Sequence, residues 1–259
     1  MSEIDSHAIV SPRVRLGGDI RIGPYAVVGD DVELGDACVL HPHAVVNGPA
    51  RLGRENHFFP FSSVGGDPQD LKYKGERTEL IVGDANIFRE CVTVHRGTGP
   101  GGGVTRVGSY NLFMAYAHVA HDCVVGSHTI FANGATLAGH VTVEDYATVG
   151  AFSPVHQYCR IGRHSYVGAS TVITQDVPPF SKVITQRETR CYGVNTIGLE
   201  RRGFDAERIR LIEQAYRLLL RSRLNTTQAL ERMRATLNGS EDVEELIRFI
   251  ESAPRGLTK

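Results

Sequence analysis

Hydrophobic residues return at every sixth position from Ile4 through Val10, Leu16, Ile22, Val28, Leu34, Leu40, Val46, Leu52 and Phe58 to Val64. A second run keeps the same step from Val107 through Phe113, Val119, Val125, Phe131, Leu137, Val143, Val149, Val155, Ile161 and Val167 to Ile173. Glycine follows many of these residues, as at Gly17, Gly23, Gly126 and Gly168, and small or β-branched residues favour the fourth place after each. A step of six fits neither the 3.6-residue period of a helix nor the strict alternation of a lone strand. It is the signature of a parallel β-helix, in which each hexapeptide supplies one short strand and a corner, and three make a triangular coil. Residues eighteen apart then stack, about one strand spacing of ~4.8 Å from each other.

Two stretches leave the pattern. The first, 65–80 (GGDPQDLKYKGERTEL), re-enters in phase at Val82, Phe88 and Val94. The second, 97–105 (GTGPGGGVT), displaces the register by seven residues between Val94 and Val107. Long insertions in a compact array are functional or disordered more often than not, and both must bulge outward. The six-residue code ends at Val177-Pro178-Pro179, where Gly and Val give way to Arg, Leu and Glu. The expected architecture is an all-β solenoid over 1–185 followed by a C-terminal α-helical domain over 186–259. In the latter, Asp205 caps a helix with Ile209, Ile212, Tyr216 and Leu219 on one stripe. Two further amphipathic segments run over 226–237 and 241–252, the last ended by Pro254.

A net charge of −1 and 41% hydrophobic residues fit an ordinary folded chain and give no reason to expect a nucleic-acid partner. No apolar run approaches the ~20 residues of a membrane span, and MSEIDSHAIV lacks the basic and apolar regions of a signal peptide. The expected location is the cytoplasm. Five cysteines sit singly, with no CxxC pair; Cys38, Cys123 and Cys159 fall at the fourth place after a repeat residue, as core filler. From Arg201 to Arg234 there are nine Arg against four Asp or Glu. Arg210, Arg217 and Arg221 share one helix face, which is either a solvated surface or a site for an acidic partner.

Candidate chemistry concentrates where histidines cluster, at His118, His121, His140 and His156. Steps of eighteen place His121, Gly139 and Gln157 in one column and Asp122, His140 and Tyr158 in the next, a polar strip on the outside of the prism. An imidazole that titrates near neutrality is the usual general base. Gly139, one coil above, offers a backbone N–H unobstructed by a side chain, and a base with such a donor is what acyl transfer needs.

The stretches NLFMAYAHVAHDCVVG, ATLAGHVTV, VHQYCRIG, QDLKYKGE, VTVHRGT, QDVPPF and GVNTIGLERRGF make the chain resemble the UDP-N-acetylglucosamine O-acyltransferases of lipid A biosynthesis over nearly its whole length. The resemblance implies a left-handed parallel β-helix, a homotrimer with sites between subunits, and transfer of a 3-hydroxyacyl chain from acyl carrier protein to the glucosamine 3-hydroxyl of UDP-N-acetylglucosamine. By motif, His121 matches the catalytic base and Gly139 the oxyanion donor, while Asp122 would orient the imidazole. His118, His140, His156 and Gln157 match residues lining the sugar and nucleotide site. Asn195, Arg201 and Arg202 match the nucleotide segment, and Gln69, Asp70 and Lys72 match a loop that closes over substrate. Ala169 matches the residue that measures acyl length. The carrier-protein thioester is the activated donor, so neither metal nor cofactor is expected. Tyr116 and Ile197 depart from the family pattern and raise a 3-amino sugar as a variant acceptor.

Three other readings compete. A γ-class carbonic anhydrase would use a trimeric β-helix and three His on Zn²⁺. The related N-acyltransferase would carry an extra N-terminal domain, whereas the repeats here begin at Ile4. A purely structural solenoid would not need His121, Asp122 and Gly139 together.

Overall fold

The computed structural model describes residues 2–185, 191 and 193–253. The chain divides into two compact units, Met1–Thr185 and Gln186–Lys259. In the first, every strand is two to four residues long, and strands pair only in parallel, forming one ten-stranded and two eight-stranded sheets. Successive strands visit the three sheets in turn, so the unit is a three-sided left-handed parallel β-helix. The ten-stranded sheet is called here the first, the sheet containing Val10 and Val119 the second, and the sheet containing Leu16 and Val125 the third.

The sixth-position residues fill the prism, and from Ile22 to Ile173 all of them are buried; those of the first coil are partly open because nothing stacks beneath them. Each sheet has its own filler. The second sheet is lined almost wholly by Val, as at Val28, Val46, Val64, Val94 and Val119, whereas the first carries Phe58, Phe88, Phe113 and Phe131. These four rings stack with centroids 5.2, 5.0 and 4.8 Å apart, the first two pairs within 5° of parallel. Aromatic pairs otherwise favour offset or edge-on contact; the strand spacing imposes the face-on stack.

Strand partners stand eighteen apart, as Glu3 with Arg21, except at three places. Across the first excursion they stand thirty apart (His57 with Ile87), and across the second twenty-five (Ile87 with Leu112). These differences are twelve and seven inserted residues. Both insertions lie at the same corner, between the second and third sheets: one separates Ser63–Gly66 from Glu79–Val82, the other Thr93–His95 from Val104–Val107. The loops proper are therefore 67–78 and 96–103, shorter than the expected 65–80 and 97–105, because the flanking strands extend through Gly66, Glu79, Val104 and Thr105.

The third irregularity corrects the expectation that the repeat ends at Val177. Ile173 bridges to Val155 and Val177 to Ile161, and Lys182–Val183 pairs with Tyr166–Val167 at a spacing of sixteen. A two-residue deletion hides one more coil from the six-residue count. Val183 packs against the core.

Among its described residues the C-terminal unit contains four helices: α1 (Thr196–Arg201), α2 (Ala206–Leu220), α3 (Thr226–Thr236) and α4 (Glu241–Glu251). Side-chain caps start the last three, from Asp205, Asn225 and Ser240, and satisfy N–H groups that a helix end leaves open. The buried stripe of α2 runs through Ile209, Ala215 and Leu219, with Ile212 and Tyr216 only half-buried at its margin. Ala215 is fully buried, in one hydrophobic cluster with Ala229 and Met233 of α3. Helix α1 was not expected, and Pro254 lies outside the described residues. Among the described residues no helix is long and apolar enough to cross a membrane.

Replacing Phe113 by Ala removes the middle of the ring stack and leaves a cavity that flanking coils cannot close, at a cost of about 3–5 kcal/mol. Denaturant unfolding of the variant checks this, and a loss below about 1 kcal/mol would contradict the stacked core.

Candidate active site

The corner that carries both insertions also carries the candidate chemistry. His121 and Asp122 turn the chain from His118–Val119 in the second sheet to Val124–Val125 in the third. Gly139 and His140 do the same one coil on, and Gln157 and Tyr158 one coil further. Asp122, His140 and Tyr158 each occupy the left-handed position, with φ of 59°, 63° and 65°. Backbone bonds tie the column together: the His140 N–H donates to the His121 carbonyl and the Tyr158 N–H to the Gly139 carbonyl. The His140 and Tyr158 rings stack 4.5 Å apart.

Asp122 is the fixed point. Its side chain is 1% exposed, and its Oδ2 lies 2.8 Å from Nδ1 of His121 and 3.8 Å from Nε2 of His140. Such a pair sets the tautomer: with Nδ1–H donating to the carboxylate, Nε2 of His121 is the basic nitrogen left for substrate. Gly139 serves the same imidazole. A Cβ at Gly139 would fall 2.5 Å from Cε1 and 2.8 Å from Nε2 of His121, so the ring lies directly against the glycine backbone. Its φ is not in the left-handed region, and so the demand for glycine comes from the ring and not from the turn. Among the described residues the Gly139 N–H has no acceptor.

A cleft of about 530 Å³ opens beside His121, lined by Gln69, Asp70, Leu71, Lys72, Thr98, Pro100, His121, His140, Gln157 and Tyr158. The structure thus brings six of the expected residues onto one cavity: Gln69, Asp70, Lys72, His121, His140 and Gln157. His118 sits below it, with Nδ1 2.7 Å from the Thr93 hydroxyl. His156 is exposed, its Nδ1 turned to the Gln157 carbonyl at 3.2 Å, and does not line this cleft. Ala169 and Tyr116 occupy a different corner, between the first and second sheets, and both are exposed. Asn195, Arg201 and Arg202 belong to the C-terminal unit. There Asn195 caps α1 by accepting from the Gly198 N–H, Arg201 closes its last turn, Arg202 is its C-cap, and Ile197 is exposed. Of the three arginines expected on one face of α2, Arg210 is paired with Glu207, and Arg217 and Arg221 flank a smaller cavity with Glu213 and Tyr216.

Three residues around the cleft carry no period and escaped the sequence reading. Arg96 is buried, and its guanidinium donates to the carbonyls of Gly48 and Gly65, to the Tyr73 hydroxyl and to Asp67, anchoring the 67–78 loop. Thr98 binds Asp122 through its N–H (2.9 Å) and its hydroxyl (2.6 Å). His95 is buried edge-on to His118, ring centroids 5.0 Å apart. Burial, reinforced by the nearby His118, His121 and Arg96, pulls its pKa down to about 4. Burial and then His121 lower that of His118 as well. One ligand atom each from His121, Asp122 and His140 lies within 4.8 Å of the others, close enough to hold a metal ion. An ion there would compete with the two hydrogen bonds already made to Asp122 Oδ2.

A parallel β-helix with a histidine–carboxylate pair set against a bare glycine backbone in a roomy cleft defines a hexapeptide-repeat transferase. Family models agree: bacterial transferase hexapeptide repeats match 13–48 and 105–139, and UDP N-acetylglucosamine O-acyltransferase, domain 2, matches 176–258. The acyl-[acyl-carrier-protein]–UDP-N-acetylglucosamine O-acyltransferases of Stenotrophomonas maltophilia (strain R551-3) and Xylella fastidiosa are 52% and 50% identical to the chain. These alignments cover 97% and 100% of it and 96% and 98% of the relatives. The solved LpxA of Acinetobacter baumannii superposes with a TM-score of 0.70 at 39% identity over 99% of both chains. The chain belongs to the UDP-N-acetylglucosamine O-acyltransferase family.

Because the folded pKa of His95, about 4, is below the ordinary 6.5, an unfolded chain takes up a proton there that the folded chain refuses. Stability present above pH 6.5 is therefore lost as pH falls toward 4, by up to about 1.4 kcal/mol per pH unit from this group. His95→Gln should flatten the pH dependence of the unfolding free energy in that window, whereas parallel curves for variant and wild type would refute the assignment.

Proposed function

We propose that the protein transfers a 3-hydroxyacyl chain from acyl carrier protein to the 3-hydroxyl of UDP-N-acetylglucosamine, the first step of lipid A biosynthesis. The observation that carries this reading is the His121–Asp122 pair seated against Gly139 at the mouth of a cleft of about 530 Å³. Nε2 of His121 takes the proton of the sugar hydroxyl as its oxygen attacks the thioester carbonyl. The Gly139 N–H, left without an internal acceptor, stabilises the oxyanion of the tetrahedral intermediate. Collapse breaks the C–S bond, and His121 returns its proton to the departing carrier thiolate. The thioester is already activated, so no metal or cofactor enters.

Gln69, Asp70, Lys72, His140 and Gln157 hold the sugar nucleotide in the cleft, with His118 supporting from below. His156, Asn195, Arg201 and Arg202 are assigned to nucleotide binding by motif, the two arginines through a guanidinium geometry suited to a diphosphate. Ala169 stands at another corner of its own chain, which supports its acting as an acyl-length ruler on the cleft of a neighbouring copy and favours a homotrimer with shared sites. Arg217 and Arg221, at the end of α2, suit the acidic carrier protein, and use of such a carrier supports a cytoplasmic reaction. Tyr116 shares the corner of Ala169 and would act on the same neighbouring cleft, while relatives named as O-acyltransferases favour the 3-hydroxyl over a 3-amino acceptor.

Purified protein given UDP-N-acetylglucosamine and a ladder of 3-hydroxyacyl carrier proteins should yield an O-acyl product by mass spectrometry, and His121→Ala should abolish it. Absence of product from any donor would overturn the reading. Gly139→Ala must push the imidazole off Asp122 and should lower kcat by about 100-fold or more. Dialysis against EDTA should leave turnover unchanged; a loss restored by Zn²⁺ would point instead to a metal on His121, Asp122 and His140.

A further inference from the structure

We propose that Thr98 is the positioning residue for the general base, acting through Asp122, and that the glycine-rich loop 96–103 exists to deliver it. This rests on the reading of His121 as base. Asp122 leaves the second sheet at a corner, in the left-handed conformation, with its carboxylate out of water. Coil geometry supplies that carboxylate with one hydrogen-bond partner, the His121 imidazole beside it; Nε2 of His140, one coil on, stands 3.8 Å away, beyond hydrogen-bond reach. A single hydrogen bond leaves a carboxylate free to rotate, and an unsatisfied buried charge is costly.

The inserted loop supplies the rest. Thr98 donates its N–H to Oδ1 and its hydroxyl to Oδ2, the same oxygen that faces Nδ1 of His121. Three donors then fix the carboxylate plane, and the plane fixes the imidazole. The Asp122 N–H, donating to the Thr105 hydroxyl at 2.8 Å, anchors the backbone beneath. Closure of the loop requires glycine at one point in particular: a Cβ on Gly101 would lie 2.1 Å from Cγ of Asp122 and within 2.4 Å of both oxygens. Bonds from the Gly101 and Gly103 N–H groups to the Thr98 carbonyl hold the turn in that close approach.

Partners that orient a catalytic group from behind are worth about 10–100-fold in activity. Steady-state kinetics of the full-length Thr98→Val and Thr98→Ser variants, with 3-hydroxyacyl carrier protein and UDP-N-acetylglucosamine, test the proposal. Thr98→Val keeps the shape and loses the donor; kcat should fall about 10–100-fold while KM for both substrates stays within about twofold. Thr98→Ser restores the hydroxyl and should recover kcat. Unchanged kcat in Thr98→Val, or equal impairment in Thr98→Ser, would overturn the positioning role. Should Thr98→Val fail to fold, Gly101→Ala decides: displacement of the carboxylate should lower kcat, and full turnover would overturn the proposal. His121→Ala separates the two levels. If it keeps turnover, the reading of the base fails; if it is inactive while Thr98→Val matches wild type, only the positioning role fails.

Discussion

Parallel backbone pairing between each residue and the one eighteen places on is the constraint on which the solenoid and its chemistry depend. It copies every position onto itself one coil higher, so side chains meet their equivalents and not a mixed neighbourhood. Apolar positions become the stacked rings of Phe58, Phe88, Phe113 and Phe131. Polar ones can be self-complementary, as Asn56, Asn86 and Asn111 are: Oδ1 of each accepts the backbone N–H of the next, while the Asn86 and Asn111 amides donate to carbonyls of the turns. Thr129 ends the column by donating both N–H and hydroxyl to Asn111. In this column the repeat satisfies its buried polar groups, whereas the hydroxyls of Ser62 and Ser165, at the same place in other coils, are buried with no partner among the described residues.

Corners are where this copying relaxes. A left-handed residue recurs at sixfold steps, held there although L-residues pay a conformational penalty for it. The ladder on either side absorbs that penalty. In return the corner points side chains outward and leaves some N–H groups outside the ladder, as at Gly139. A free N–H and an imidazole can then occupy successive coils in fixed register, which is the relation between Gly139 and His121. Insertions also cost least at a corner, since a loop can leave and return there without breaking a sheet. That both insertions and the histidine column share one of three corners makes a site of what would otherwise be a surface.

Features carried by the period were legible in the sequence: the inner column, the coil arithmetic that stacks His121, Gly139 and Gln157, and the caps of α2 at Asp205. The last coil was not, because a two-residue deletion before Val177 breaks the count while leaving the ladder intact. Nor was the burial of Ala215, since a stripe drawn from large residues passes over a small one. His95, Arg96 and Thr98 stand in the stretch VTVHRGT that carries part of the resemblance, yet their contacts were illegible for a different reason. Their partners are set by the path of a loop, and a path has no period. The loop glycines were visible as an interruption only; that Gly101 makes room for a carboxylate follows from coordinates alone.

The two loops are also not independent of each other. Glu76 in the first accepts the Gly99 N–H of the second, and backbone N–H groups of Lys74, Glu76 and Gly99 hold its carboxyl below the ordinary range. Arg96, at the root of the second, binds Asp67 and Tyr73 of the first. Its guanidinium spreads its donors over the Gly48 and Gly65 carbonyls, Asp67 and Tyr73, and these bonds tie the path of the second loop to that of the first. Since the first presents Gln69, Asp70 and Lys72 to the cleft and the second presents Thr98 to Asp122, the residues proposed to hold substrate and those proposed to aim the base are parts of one interlocked structure. Precision at the imidazole therefore depends on hydrogen bonds made by both insertions, while the repeat itself supplies only the platform.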